Sequence, residues 1–544
     1  MVTQKYEQWR QYYATNNLPF QPDLDAFDGY LTFGTGGIRG LMGIGTNRLN
    51  VPIIRRVTLG LAGYLNRLTE HPIVAVSYDT RNHSREFAEA AVALLATYGI
   101  RTYLATEPAP TPELSFATRY YHATAGIMIT ASHNPATYNG YKIYDNNGCQ
   151  LVPELSAQIA QSISNVEDEL SIKTMSFSTA LAKGMVSAWT PALSVAYLKN
   201  VGGILKQPTI DIRHGNELSI VYTPLHGTGL KLLKTAYTRY GFSNLAIVKE
   251  QTICDGRFNT VKIPNPEHPA AFKLAVDLAK QRNADLAIAT DPDADRLGVF
   301  VKKNKEYCPL NGNQLALIFF DYLLRKIPDS MLRGRYVVKT VVTSDLIARM
   351  AADHGITCVE TLTGFKYIGN AIQKRENQNS HFMFGCEESF GYLFSGFVRD
   401  KDAVQAALMV AEIALDAKRR GMTLFDLLKN IETKYGNEYT ELLSVDLANQ
   451  RELPQLLSKF QHIDWHNAGV TVSEYRDYSD GLTLNGDRLP KANVFQVLLS
   501  EGAKVTCRPS GTEPICKFYI DANSQDLKAR LINQIETIGG GRID

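Results

Sequence analysis

The chain has 544 residues, 44% hydrophobic and 21% charged, and 57 basic side chains against 55 acidic ones leave a formal net charge of +2. At about 150 residues per domain this length predicts three or four domains. The near-neutral balance excludes a general attraction to nucleic acid or to an anionic membrane surface. No apolar run approaches the roughly 18 residues of a bilayer-spanning helix, and the polar stretch Met1 to Tyr13 has no hydrophobic signal core. Seven scattered cysteines without a C-x-x-C pair fit reduced thiols, so a cytoplasmic location is expected.

In chain order, the run Gly34-Thr35-Gly36-Gly37-Ile38-Arg39-Gly40 comes first. It has enough glycine for backbone to approach an anion. It is not a dinucleotide fingerprint, because Arg39 stands at the third required glycine, and no Gly-Lys-Ser/Thr makes it a P-loop. By itself it reads as a connection. A plan then appears three times. Ile73 to Val76 leads through Tyr78-Asp79-Thr80-Arg81 into a helical segment around Ala88 to Tyr98, and Gly99-Ile100 starts the strand Thr102 to Leu104. Ser219 to Tyr222 leads into Leu230 to Tyr240, and Gly241-Phe242 starts Leu245 to Val248. Tyr336 to Val338 leads into Leu346 to His354, and Gly355-Ile356 starts Thr357 to Val359. Each glycine falls where a helix C-cap belongs. Strand, helix, glycine, strand is a βαβ unit, so three α/β domains with mainly parallel sheets are expected.

Each copy continues to a further strand-like run, and there the chemistry gathers, where open α/β sheets bind ligands beyond strand carboxyl ends. Gly126 to Ile129 ends in Thr130-Ala131-Ser132-His133-Asn134-Pro135. Asn134-Pro135 favours a turn that lifts Ser132 out of regular structure. Ser132 lacks the G-x-S-x-G setting of a hydrolase nucleophile and is either a plain turn residue or, beside a metal, a phosphate acceptor. Alone, His133 reads as structural. Leu286 to Ala289 ends in Asp291-Pro292-Asp293-Ala294-Asp295-Arg296. Three carboxylates this close repel unless a cation sits among them, and oxygen-only ligands suit Mg²⁺. An EF-hand is excluded, because Arg296 and Lys302 occupy the positions that require Gly and Glu. A solvated acidic turn is the competing reading. Arg296 adds a charge suited to phosphate or simply to a neighbouring aspartate.

In the third copy Phe382 to Phe384 ends in Gly385-Cys386-Glu387-Glu388-Ser389, which offers acceptors for neutral hydroxyls, as on a sugar, or a solvated acidic helix start. Lys366, in Gly364-Phe365-Lys366, brings an ammonium to the same site or is surface charge. The last hundred residues lack the plan, and Gly481 to Leu484, Ala503 to Arg508 and Cys516 to Ile520 suggest a smaller α+β domain. There Arg508-Pro509-Ser510-Gly511-Thr512 joins a guanidinium, two hydroxyls and a glycine, which makes either a phosphate cradle or a polar hairpin turn.

Together, T-A-S-H-N-P, D-P-D-A-D-R, the Glu-Glu-Ser loop and R-P-S-G-T-E-P resemble the α-D-phosphohexomutase superfamily, in the family's order and over nearly the whole chain. Its members include phosphoglucomutase, phosphomannomutase and phosphoglucosamine mutase. The resemblance implies four domains around a central cleft, each giving one loop: 1–205, 206–310, 311–435 and 436–544. It implies that Ser132 is a phosphoserine and that Ser132, Asp291, Asp293 and Asp295 hold Mg²⁺. Arg39, Lys142 and His133 match positions near the transferred phosphate, with Lys142 or Arg39 as acid/base helper. Arg296, Lys366, Glu387 and Ser389 match substrate contacts, and Arg508, Ser510, Gly511 and Thr512 match the loop for the non-reacting phosphate. The two-glutamate loop and the chain length resemble the longer phosphoglucomutase branch. The implied reaction converts glucose 1-phosphate to glucose 6-phosphate, with glucose 1,6-bisphosphate as intermediate and activator. A phosphopentomutase, a phosphomannomutase or a serine-based metal phosphatase are the alternatives, and oligomeric state is not implied.

Overall fold

Strand, helix, glycine and strand fold as the repeated plan requires. In the computed structural model Ile73–Tyr78, Ser84–Thr97 and Arg101–Leu104 form the first copy. Ile220–Thr223, Gly229–Arg239 and Leu245–Ile247 form the second, and Arg335–Thr340, Leu346–Asp353 and Thr357–Thr361 the third. In each copy the two strands pair in parallel. The three helix-terminating glycines, Gly99, Gly241 and Gly355, have φ of 76°, 90° and 64°. An added Cβ at Gly99 or Gly355 would meet nothing within 4 Å, so the left-handed backbone and not space selects glycine there.

The structure describes residues 2–34, 36–205, 212–378, 380–484, 487–509 and 515–539. Ser510, Gly511 and Thr512, expected as phosphate contacts, lie outside the described residues. The chain divides into two compact units, Met1–Gly312 with Phe365–Leu424, and Asn313–Gly364 with Phe425–Asp544.

The first unit holds a six-stranded sheet in the order Gly37–Leu41, Tyr138–Tyr144, Ala125–Ile129, Ile73–Tyr78, Arg101–Leu104, Val186–Ala188. The last four run parallel and the first two antiparallel. Its second sheet runs Glu306–Leu310, Leu297–Lys303, Leu286–Thr290, Ile220–Thr223, Leu245–Ile247, again parallel on one side and antiparallel on the other. His381–Glu387 pairs antiparallel with Gly391–Leu393. The sheets are thus mixed, for a reason of chain length. A parallel crossover needs a dozen or so residues. Only short loops separate Ala125–Ile129, Leu286–Thr290 and His381–Glu387 from the strands that follow, so each chain must reverse. The helix Ala403–Arg419 then packs with almost every residue buried, its amino end capped by the Asp402 side chain.

In the second unit a five-stranded antiparallel sheet runs Tyr439–Asp446, Ile515–Ala522, Lys504–Pro509, Phe495–Leu499, Val472–Asp477. Leu453–Gln461 and Gln525–Gly539 pack on it, giving the expected α+β arrangement. Thr483–Leu484 forms a separate ribbon with Asp487–Arg488. The unit carries a charge chain around two buried lysines: Lys339 Nζ is 2.8 Å from both Asp345 and Glu360, and Lys504 Nζ lies 2.9 Å from Asp345 and 3.2 Å from Asp521. Among the described residues, no helix is long and apolar enough to cross a membrane.

Candidate active site

The chain reversals that end the central strands of the first unit are the three chemistry-bearing loops. In each, one non-glycine residue takes a left-handed backbone: Ser132 (φ 52°), Ala294 (φ 51°) and Phe390 (φ 65°). Such residues cost on the order of 1 kcal/mol or more and persist only where their surroundings hold them.

Ser132 is buried, and its Oγ donates to Asp291 Oδ2 at 2.7 Å, so the first and second loops meet at this hydroxyl. His133 Nδ1 lies 3.1 Å from the same oxygen. Burial, and then the nearby cations of Arg296, Arg39 and Lys142, hold the His133 imidazole well below its ordinary value and keep it neutral. Arg39 stands on the edge strand Gly37–Leu41 opposite Gly140, and its Nη1 donates to Asn134 Oδ1 at 2.8 Å. Lys142 stands opposite Gly37 and sends its ammonium to Asp293 Oδ2 at 2.9 Å and toward Asp295 Oδ2 at 3.9 Å.

Asp291, Asp293 and Asp295 are all buried, with one carboxylate oxygen from each lying within 4.8 Å of the others. Asp291 Oδ1 is taken by the backbone N–H groups of Asp295 and Arg296 at 3.1 and 3.0 Å, which curls the loop around that carboxylate. Asp293 Oδ1 and Asp295 Oδ1 are buried without a hydrogen bond. Orphaned, converging oxygens of this kind fit a hard divalent cation. Burial and mutual repulsion push Asp291 well above the usual carboxylate range. Burial would raise Asp293 too, but the Lys142 ammonium, the hydrogen bond with Asp291 and the Lys401 charge together outweigh it and hold Asp293 far down.

Arg296 pairs with Glu267 and lies 3.9 Å from Asp295. The second and third loops are stitched together by the Leu297 N–H donating to Phe390 O at 3.1 Å and by a bridge from Arg296 to Gly391. Glu387 is buried at the end of its strand and accepts from Ser389 Oγ at 3.4 Å. Burial, reinforced by Glu388 and opposed by Lys401, pushes its carboxyl up to about 7. Lys366 is the second residue of the helix Phe365–Arg375; its carbonyl accepts from Cys149 Sγ, and its Nζ lies 5.1 Å from the Tyr367 ring centre. Arg508 belongs to the second unit, on the strand Lys504–Pro509, with Nη1 3.5 Å from the Tyr519 hydroxyl.

Models of the phosphoglucomutase/phosphomannomutase alpha/beta/alpha domains I, II and III match residues 30–170, 196–305 and 311–435. A phosphoglucomutase from Staphylococcus haemolyticus is 36% identical over 532 residues, covering 95% of this chain and 94% of its own. The chain belongs to the phosphoglucomutase/phosphomannomutase family. Another phosphoglucomutase, from Staphylococcus aureus strain USA300, is 37% identical over 511 residues, covering 91% and 90% of the two chains. Two solved structures share the fold. One is pp63/parafusin, a phosphoglucomutase from Paramecium in an open form, with TM-score 0.71, 19% identity and 96% of each chain covered. The other is a phosphoglucomutase/phosphomannomutase family protein from Burkholderia thailandensis, with TM-score 0.69, 19% identity and 94% and 98% covered.

Within this family fold the structure adds residues that sequence reading passed over. Lys401 is half-buried, with Nζ 2.9 Å from Asp295 Oδ2 and 3.5 Å from Asp400 Oδ1. It is held by its neighbours: Arg399 pairs with Glu376 at 2.7 Å, Asp400 accepts from Tyr144 at 2.8 Å, and Asp402 caps a helix. The signal was available, because Arg399-Asp400-Lys401-Asp402 is a fully charged run directly before an apolar helix. Thr111, which gave no local signal, donates its N–H to Asp293 O at 2.9 Å and its hydroxyl to Asp293 Oδ2 at 2.8 Å.

Proposed function

We propose that this protein is a phosphoglucomutase that interconverts glucose 1-phosphate and glucose 6-phosphate in the cytoplasm, with Ser132 as the phosphate carrier. The observation that carries the reading is the Ser132 hydroxyl, held on a left-handed backbone 2.7 Å from Asp291 in a buried triad with orphaned oxygens. A binding module needs only phosphate contacts, whereas group transfer through the protein, in a mutase or a serine-based phosphatase, needs a hydroxyl seated against a cation site.

In the cycle, phosphorylated Ser132 gives its phosphoryl group to the free sugar hydroxyl, forming glucose 1,6-bisphosphate. The Oγ–P bond breaks, the sugar O–P bond forms, and the hydroxyl proton ends on Ser132 Oγ. The intermediate turns over, and its other phosphate returns to Ser132: that sugar O–P bond breaks, the Oγ–P bond re-forms, and the serine proton ends on the freed sugar oxygen. Mg²⁺ held by Asp291, Asp293, Asp295 and the Ser132 oxygen would neutralise charge on the transferring group. Neutral His133, 3.1 Å from Oγ, is placed to accept the serine proton, and the cations of Arg39 and Lys142 assist at the phosphoryl oxygens and the sugar hydroxyl. Arg296, Lys366, Glu387 and Ser389 orient the sugar phosphate. Arg508, Ser510, Gly511 and Thr512 take the idle phosphate on the strength of the resemblance alone. We assign the loops to domains 1–205, 206–310, 311–435 and 436–544. This division is supported by the family matches at 30–170, 196–305 and 311–435 and by the separate antiparallel sheet that follows them.

The test is a coupled assay of glucose 1-phosphate conversion with Mg²⁺ and trace glucose 1,6-bisphosphate, with Ser132→Ala alongside. Turnover lost in the variant is expected. Turnover of ribose 1-phosphate or mannose 1-phosphate in place of glucose would move the substrate within the family. Stoichiometric release of inorganic phosphate would replace the mutase by a phosphatase, and equal activity in both proteins would end the phosphoserine mechanism.

A further inference from the structure

The Ser132 loop leaves the sheet at Ile129 and rejoins it at Tyr138, so its backbone groups lack ladder partners and must be satisfied elsewhere. Four of its carbonyls converge on one side chain. Arg81 Nη1 donates to Pro135 O at 2.8 Å and to Tyr138 O at 3.0 Å, and Nη2 donates to Ser132 O and Asn134 O, both at 2.5 Å. Arg81 Nε lies 3.2 Å from Asp79 Oδ2. The terminal donors of one guanidinium are thus spent on one loop, a pattern that the planar fork permits and an ammonium cannot copy. Arg81 is 3% exposed, and its far face lies 4.9 Å from the Phe258 ring centre.

The other half of the arrangement runs through Asp79. Its Oδ1 accepts from Arg81 N at 2.9 Å and Ser84 Oγ at 2.6 Å, and its Oδ2 accepts from Thr130 Oγ1 at 2.6 Å. Thr130 Oγ1 in turn accepts from Ser132 N at 2.8 Å. The N–H of Ser132 is therefore tied to Asp79 through Thr130, and its C=O is tied to Arg81. These are the two peptide groups whose orientations define φ and ψ at Ser132. With both pinned to one buried ion pair, the left-handed conformation at Ser132 is imposed from outside the loop.

We propose that Arg81, seated on Asp79, is a positioning residue for phosphoryl transfer that fixes the Ser132 backbone and so aims Oγ at Asp291. It touches no reacting atom and lies beneath the loop. The proposal rests on Ser132 being the carrier. Misplacement of a reacting atom by about 1 Å costs on the order of 100-fold in rate, while groups that bind the sugar phosphate are untouched.

The experiment compares wild type with Arg81→Lys, which keeps a cation beside Asp79 but loses the fork. It reads kcat, KM for glucose 1-phosphate, the rate at which glucose 1,6-bisphosphate phosphorylates Ser132 (by intact mass), and the melting temperature. The expected result is a kcat about 100-fold lower, KM within about threefold, and Ser132 phosphorylation slowed by the same factor as kcat, in a protein still folded at the assay temperature. A kcat within threefold of wild type, a loss confined to KM, or normal Ser132 phosphorylation would overturn the proposal. If Arg81→Lys does not fold, Thr130→Val and Thr130→Ser test the same pinning with Arg81 in place: kcat should fall about tenfold in the first and be retained in the second, and equal kcat values would overturn it. Wild-type protein that takes no phosphate on Ser132 would bring down the carrier reading and this proposal together, whereas a normal Arg81→Lys brings down the proposal alone.

Discussion

Glu113 offers a quantitative test of the packing beside the site. It lies in the first turn of the helix Thr111–Tyr120, two residues after the threonine that holds Asp293, and is 4% exposed. Its carboxyl accepts a hydrogen bond from Ser194 Oγ at 2.6 Å. Burial is the main cause that pushes its carboxyl from 4.5 up to about 7; Glu107 and Asp402 add to the rise, and Ser194 and Lys231 oppose it. The unfolded chain releases this proton near pH 4.5, while the fold keeps it to about 7. Between those values the folded state binds more protons, so stability is lost as pH rises through the window. At about 1.4 kcal/mol per pKa unit the loss is about 3 kcal/mol. Glu113→Gln removes the titration and keeps an acceptor for Ser194. Its amide N–H₂ adds a cost of about 1–3 kcal/mol that does not depend on pH, so the signature is slope and not absolute stability. Urea unfolding followed by tryptophan fluorescence at several pH values from 4.5 to 8 gives the comparison. The variant should gain about 3 kcal/mol relative to wild type as pH rises across this range. Parallel curves for the two proteins would refute the reasoning.

Three further outcomes follow from the geometry. Thr111→Val deletes the hydroxyl that donates to Asp293 Oδ2 at 2.8 Å and should raise the Mg²⁺ concentration for half-maximal turnover by about 10- to 100-fold, read by titrating Mg²⁺. Gly227→Ala places a Cβ 2.5 Å from Pro292 Cα and 2.9 Å from Asp291 O, so the aspartate loop must shift; a kcat lower by at least tenfold is expected, with the far-UV circular dichroism unchanged. In the second unit Lys504→Met leaves Asp521 buried without its cation and should cost about 3–5 kcal/mol, read by denaturant unfolding.

How much of this was legible before folding follows from the range of the interactions. The three βαβ copies were readable because helix-ending glycines and apolar strands are local signals, and Gly99, Gly241 and Gly355 do adopt positive φ. The mixed sheet direction was not inferred, although the short spacing after Ile129, Thr290 and Glu387 already forbids a parallel return. Ser132 and the aspartate run announced themselves by residue type and by position beyond a strand. Arg81 did not, because its meaning lies in partners 51 to 57 residues away, and the charged run around Lys401 marked a special stretch without naming its partner, which lies over a hundred residues away. Lys142 had no local signal either; it reaches Asp293 because an antiparallel strand returns beside Ala125–Ile129 and carries it back to the loop.

The same logic explains why the site is built from reversals. A left-handed residue turns the chain sharply at the strand end, so the next strand returns beside its predecessor and can deliver a side chain to the loop it has just left. Lys142 is delivered that way, and Leu297 and Gly391 begin the returning strands that join the second loop to the third. Charge then makes the loops interdependent. Three buried carboxylates face two half-buried ammonium groups, Lys142 on Asp293 and Lys401 on Asp295, and the lysines come from elements on either side of the triad. With all three carboxylates ionised, as a bound cation requires, the acidic excess left over is one charge, small enough to keep folded and large enough to attract a divalent cation. A divalent cation held there would reverse the sign of the pocket toward an arriving phosphate. Removing either lysine would double the excess, so these two side chains would set how strongly the triad draws a cation as well as how the fold tolerates it.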